Sequence, residues 1–71
     1  MTGGELESLV RMANQIAANF SFHADPAERI ADHFTRFWAP SMRKMLIAHE
    51  AAGGEGLQPE VREALGKLPP T

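Results

Sequence analysis

The apolar residues of this 71-residue chain recur at intervals of three and four, which is the spacing of an α-helix and not of a β-strand. Near the N-terminus the polar residues Asn14 and Gln15 lie off the apolar face. The spacing predicts an amphipathic helix over about residues 5–20. Its apolar face consists of Leu6, Leu9, Val10, Ala13, Ile16, Ala17 and Phe20.

A second helix is predicted to begin at Pro26 and to extend to about residue 38. Pro26 suits the first position of a helix, and Asp25 is expected to cap the free amides there, with Glu28 reaching back. At ~100° per residue the apolar side chains fill about a third of the helix circumference. They are Ala27, Ile30, Ala31, Phe34, Phe37 and Trp38, of which Ile30, Phe34 and Phe37 are expected in the core.

Two further helices are predicted, over about residues 41–52 and 59–66. Pro40 cannot donate an amide and disfavours a helical residue before it, so the second helix should end near Trp38. Gly53-Gly54 is typical of a helix end, and Pro59 of a helix start. On the third helix the apolar stripe is Met42, Met45, Leu46, His49 and Ala52, with Ile47 on the other side.

No strand pattern and no repeat interrupts this series. The fold class predicted for the chain is therefore all-α, a small bundle of three amphipathic helices plus a short C-terminal helix. It should form a single domain over residues 1–71, with frayed ends at residues 1–4 and 67–71.

Size and composition limit the possible functions. A domain of 71 residues has a thin core, and the absence of cysteine excludes disulfides, thiolate metal sites and a cysteine nucleophile. A partner protein is the remaining source of added stability. The net charge of −2 and the lack of any basic run beyond Arg43-Lys44 disfavour nucleic-acid binding. No apolar run approaches the ~18 residues of a membrane span, and no signal-peptide pattern is present, so a cytoplasmic location is expected.

Catalytic and metal sites are not expected. His23, His33 and His49 do not pair at helical spacing, and no serine or threonine belongs to a recognisable nucleophile motif. The glycine-rich residues 53–56 are typical either of a phosphate loop or of a helix end followed by a turn. The second interpretation is favoured, because no strand precedes them and Glu60 in the next helix would repel an anion.

The segment His33–Arg43, HFTRFWAPSMR, concentrates large apolar side chains around a proline. One interpretation is that they are the core of a helical hairpin, and the other is that some face a partner. Tryptophan, methionine and arginine are enriched at interface centres. The candidate partner contacts are Trp38, Met42 and Arg43 as anchors, Ile47 as an exposed apolar residue, Asn14 and Gln15 as polar contacts, and His33 at the rim.

Four segments together carry a resemblance to a known family. They are MANQIA at residues 12–17, IADH at 30–33, FWAPSMR at 37–43 and AGGEGL at 52–57. In this order and spacing the chain resembles the delta subunit of soluble, NAD-dependent, molybdenum-containing formate dehydrogenases, over about Leu9 to Leu65. One departure is Ser41, where that family often has arginine.

The resemblance implies an accessory subunit that binds no redox centre. In such complexes the large subunit holds a molybdenum bis-guanine-dinucleotide cofactor and iron–sulfur clusters, and partner subunits hold FMN and NAD. The complex interconverts formate and CO2. The resemblance also implies a role in stabilising the large subunit or in its assembly and cofactor insertion. Two alternatives stay open: a free-standing helical regulator, such as a helix-turn-helix DNA-binding protein, and a chaperone that leaves after assembly.

Overall fold

The computed structural model describes residues 4–68, and within them it contains four α-helices and no strand. The helices are α1 (Gly4–Asn19), α2 (Pro26–Phe37), α3 (Pro40–Ala51) and α4 (Pro59–Gly66). The predicted all-α class, with three amphipathic helices and a short fourth, is confirmed. Of the ends predicted to fray, residues 1–3 and 69–71 lie outside the described residues, while Gly4 starts α1 and residues 67 and 68 follow α4 in a turn and a bend.

A proline is the first residue of α2, α3 and α4, where its missing amide costs nothing. Ala39 and Gln58, which precede two of these prolines, are extended, as the proline ring requires. The predicted cap at Asp25 is wrong, because its side chain makes no capping hydrogen bond. Its carboxylate lies 3.5 Å from the guanidinium of Arg29, one helical turn on.

The core is built from all four helices, and its largest fully buried side chains are Phe34, Ile30, Leu46 and Val61. On α1 the buried face is mostly small, with Leu9, Ala13 and Ala17. Such a face lets the other helices approach its backbone closely. The short α4 is more central than its length predicted: it buries Val61, Ala64 and Leu65 and packs chiefly against α2.

Phe37 and Trp38 occupy the opposite environments to those predicted. Phe37, expected in the core, is 71% exposed, whereas Trp38 is only 7% exposed and its ring centroid lies 4.3 Å from that of Phe34. Trp38 follows Phe34 by four residues and still donates its amide to the carbonyl oxygen of Phe34 (3.1 Å), so its side chain lies about 40° around the axis from Phe34, on the buried face. The chain leaves the helix only at Trp38 itself, which is extended (φ −95°, ψ 142°). Phe37 stays helical at about 60° around the axis from Phe34, at the edge of the apolar stripe.

Replacing Phe34 and Phe37 by alanine, one at a time, tests whether Phe37 lies at the surface. Phe34→Ala should cost about 3–5 kcal/mol of unfolding free energy, which is most of the stability of so small a domain, so helical circular dichroism should largely disappear. Phe37→Ala should change the same free energy by no more than about 0.5 kcal/mol in urea titrations. Equal losses from the two variants would contradict the assignment of Phe37 to the surface.

Candidate protein-interaction surface

The corner between α2 and α3 is closed by Arg43. Its Nη1 donates hydrogen bonds to the carbonyl oxygens of Trp38 (2.6 Å) and Phe34 (3.2 Å), which belong to the last turn of α2 and the residue after it. The carbonyl oxygen of Phe34 also accepts from the amide of Trp38 (3.1 Å), whereas that of Trp38 lies beyond the last helical hydrogen bond, and a cation is favoured at such a helix end. Arg43, predicted as a partner anchor, is therefore engaged within the chain.

A second joint connects α1 to the glycine-rich loop. The side-chain amide of Asn14 donates to the carbonyl oxygen of Gly56 (2.8 Å), and its Oδ1 accepts from the backbone amide of Gln58 (3.0 Å). The ring nitrogen Nε2 of His49 donates to the carbonyl oxygen of Glu55 at 2.8 Å. Two side chains from different helices thus hold one loop, and the MANQIA and AGGEGL segments meet in space.

The glycines of this loop reverse the chain after α3. Gly54 has φ +65° and Gly56 has φ +86°, values that side-chain-bearing residues rarely adopt. The amide of Gly54 donates to the carbonyl oxygen of His49 at 2.9 Å, which closes the helix. The predicted helix end followed by a turn is confirmed over the phosphate-loop interpretation.

The other predicted contact residues are more accessible. Met42 is half-buried against the core, and so is Ile47, whose predicted exposure is wrong because its side chain also packs on the core. Gln15 is exposed, with its amide 3.4 Å from the side-chain oxygen of Asn19. His33 is half-buried at the surface of α2. The seven candidates do not share one environment: Trp38, Arg43 and Asn14 serve internal contacts, and Met42, Ile47, Gln15 and His33 retain accessible surface.

His33 belongs to an aromatic ridge that we define as Phe20, His23, His33 and Phe37. Neighbouring ring centroids are 4.9 Å apart for His33 and Phe37, 6.2 Å for His33 and Phe20, and 5.6 Å for Phe20 and His23. These are the separations of interacting aromatic rings. The ridge joins the end of α1 to the outer side of α2. Sequence reasoning missed Phe20 and His23, although the one-turn spacing of His33 and Phe37 was visible.

Charged pairs surround the ridge. Glu28, Arg29 and Asp32 line a shallow groove beside Phe20, His33 and Phe37. Each of the three has a partner of opposite charge within the chain. The pairs are Arg29 with Asp25 (3.5 Å), Arg36 with Asp32 (2.9 Å) and Lys67 with Glu28 (3.4 Å). The ridge therefore has an aromatic centre and a rim without net charge.

Residues 4–68 contain no group of three histidine, aspartate or glutamate side chains that could hold a metal ion. Within the same range no buried side-chain nitrogen or oxygen lacks a hydrogen-bond partner, so no unsatisfied polar atom marks a ligand site. No helix among the described residues is long and apolar enough to cross a membrane. What the described surface offers most clearly is aromatic area for contact with another molecule.

The role of Arg43 at the corner is testable in the isolated chain. Arg43→Ala should lower the unfolding free energy by about 1–3 kcal/mol, because it removes two charge-assisted hydrogen bonds and takes the donor from the carbonyl oxygen of Trp38. The neighbouring exposed cation provides the control, and Lys44→Ala should change stability by less than about 0.5 kcal/mol in the same urea titration. If Arg43 served only to contact a partner, both variants would be as stable as the parent.

Asn14 and Gln15 form a second matched pair. Asn14→Ala should destabilise the chain by about 1–2 kcal/mol and accelerate hydrogen exchange at the amide of Gln58, which loses its acceptor. Gln15→Ala should leave that exchange rate and the stability almost unchanged, since its amide meets only Asn19 at the surface. Unaltered exchange at Gln58 in Asn14→Ala would contradict the proposed attachment of the loop.

The model of the family FdsD, described as the NADH-dependent formate dehydrogenase delta subunit, matches the chain over residues 8–65. No curated protein and no solved structure matches the chain. The matched range covers most of α1, all of α2 and α3, and α4 as far as Leu65, so it includes both joints and the aromatic ridge. The chain belongs to the family of NADH-dependent formate dehydrogenase delta subunits.

Proposed function

We propose that this chain is a non-catalytic accessory subunit that docks on the molybdenum-containing large subunit of a cytoplasmic formate dehydrogenase and stabilises it. The family match over residues 8–65 is the observation that carries the proposal. In the proposed complex, formate and NAD+ are converted to CO2 and NADH by partner subunits. Those partners hold the molybdenum cofactor, the iron–sulfur clusters, FMN and the NAD site.

The chemistry of the chain supports placing the redox centres elsewhere. Iron–sulfur clusters are held mainly by cysteine thiolates, and this sequence has no cysteine. Among residues 4–68 the acidic side chains nearest the aromatic ridge are already paired with basic ones, and no group of three metal-binding residues forms. Arg43 and Asn14 each make two side-chain hydrogen bonds, and all four are to backbone groups of this chain.

The two joints also support a role in binding. They fix the α2–α3 corner and the glycine-rich loop before any partner arrives, so docking does not have to order those segments. In the proposed interface Met42, Ile47, Gln15 and His33 contact the partner through their accessible surface. Trp38, Arg43 and Asn14 contribute by holding that surface in shape.

Stabilisation of the large subunit follows from mass action. A chain that binds the folded large subunit and not its unfolded form raises the population of the folded form. The same preference assists assembly if the chain binds before the molybdenum cofactor is inserted. Both effects need only a specific binding surface, which a bundle of this size supplies without chemistry of its own.

Omitting the chain from co-expression with the other subunits tests the proposal. The large subunit should then be recovered in lower yield and with less molybdenum, while the chain, when present, should co-purify with it. Formate-dependent NAD+ reduction is the activity to measure, with the isolated chain as a control that should show none. Catalysis by the isolated chain, or unchanged yield, molybdenum content and activity in its absence, would contradict the proposal.

Stoichiometry separates a permanent subunit from a chaperone that leaves. We expect one copy of the chain per large subunit in the active, cofactor-loaded complex, measured by native mass spectrometry. A chain found only on the cofactor-free large subunit would assign the chaperone role instead. A free-standing regulator would not be captured with the large subunit in either state.

A further inference from the structure

We propose that the aromatic ridge, together with Phe22 in the adjoining turn, is the surface that inserts into the large subunit. This inference rests on the proposed function and adds the location of the contact. It also moves the centre of the interface from the α2–α3 corner, where Trp38 and Arg43 are used internally, to the outer side of α2 and the end of α1.

Exposure distinguishes this surface from the rest of the described chain. Phe22 is 92% exposed and Phe37 71% exposed, and the remaining exposed large apolar residue of residues 4–68, Met12, is 42% exposed. Leaving an aromatic ring in water forgoes the stabilisation that its burial would give. Trp38 and Phe34, neighbours of Phe37 in the sequence, show that the fold can bury such rings where the backbone directs them inward.

The ridge is also held in place. His33 lies between Phe37 and Phe20, with centroid distances of 4.9 and 6.2 Å, so the exposed ring of Phe37 is supported from α1 as well as from its own helix. A ring that is already oriented loses less conformational entropy on binding than a free one. The arrangement therefore favours an anchor residue that enters a pocket on the partner.

The charges of the rim limit what that pocket can be. Asp25, Glu28 and Asp32 are each paired with a basic side chain of the same chain, so the rim presents no net charge. A nucleic acid or an anionic membrane would be attracted by a cationic surface, which is absent around the ridge. The complementary partner is a protein surface with an uncharged apolar pocket and polar edges, which is the usual anatomy of a protein interface.

Area argues for a larger partner over a second copy of this chain. A buried phenylalanine contributes about 150–250 Å², so Phe22 and Phe37 together offer roughly 250–400 Å². A stable interface buries about 800 Å² per partner. Two such ridges placed face to face would fall short of that area, whereas a surface on a large subunit can enclose the ridge and also contact its flanks.

The test uses the assembled complex and the full-length chain. Complex prepared without the chain is titrated with purified chain, and binding is followed by biolayer interferometry. Phe37→Ser and Phe22→Ser should each weaken binding, with a loss of about 30-fold or more for Phe37→Ser if it is the anchor. Glu7→Ser is the control, because Glu7 is exposed near the start of α1, twelve residues or roughly 18 Å along the helix axis before Asn19 at its end. Its affinity should stay within about threefold of the parent.

Folding is checked in each variant by circular dichroism and by the fluorescence of Trp38, the single tryptophan, which packs against Phe34.

If Phe37→Ser and Phe22→Ser bind the complex as tightly as the parent chain does, the ridge is not the interface, and the proposed function is unaffected. Loss of binding in Glu7→Ser alone would place the interface at the start of α1. Failure of the parent chain to bind the complex would contradict the proposed function itself. Self-association that Phe37→Ser abolishes, with binding to the complex unchanged, would assign the ridge to a second copy.

Discussion

The contact between Trp38 and Phe34 is the constraint on which the arrangement of the helices depends. Their ring centroids are 4.3 Å apart, and the amide of Trp38 still donates to the carbonyl oxygen of Phe34 (3.1 Å), so both side chains lie on the buried face of α2. The helix ends there because the backbone of Trp38 is extended, and Arg43 near the start of α3 donates to the carbonyl oxygens of Trp38 and Phe34. The direction of α3 is thereby fixed by a side chain in the core and by a hydrogen-bonded cap at the same corner.

The remaining helices follow from the end of α3. The glycine-rich loop reverses the chain there, and Asn14 and His49 hold it against α1 and α3. Arg62 of α4 passes over Gly54, where a Cβ would lie 3.1 Å from its Nε, and that Nε lies 3.6 Å from the carboxylate of Glu50. The short α4, held near its start in this way, buries Val61, Ala64 and Leu65 and packs chiefly against α2. Two corners built from specific side chains thus substitute for the larger core that a chain of this size lacks.

Sequence periodicity predicted the all-α class because helix formation here depends on short-range spacing and on three prolines. It failed where the outcome depended on which side of an apolar stripe the other helices cover. On a helical wheel Phe37 and Trp38 lie on opposite sides of Phe34, at about 60° and 40°, and the core covers the side of Trp38 and leaves Phe37 exposed. For Asn14 the polar type was visible, but its hydrogen bonds to residues 56 and 58 are contacts across more than forty positions, which no local pattern contains.

The difference between a local sequence pattern and a three-dimensional contact also decides how a binding surface can be found in a small bundle. Sequence analysis selects residues of types common at interfaces, but tryptophan and arginine are also the types that close a corner, so type alone does not separate the two uses. Trp38 and Arg43 are largely accounted for by their internal contacts, since the ring is 7% exposed and the guanidinium donates to two carbonyls of its own chain. Internal contacts do not explain Phe37 in this way. It lies in the same FWAPSMR segment, yet most of its ring is exposed to water. A side chain whose exposure the fold does not require is where contact with a partner subunit gains the most, because its burial adds apolar contact without breaking an existing one.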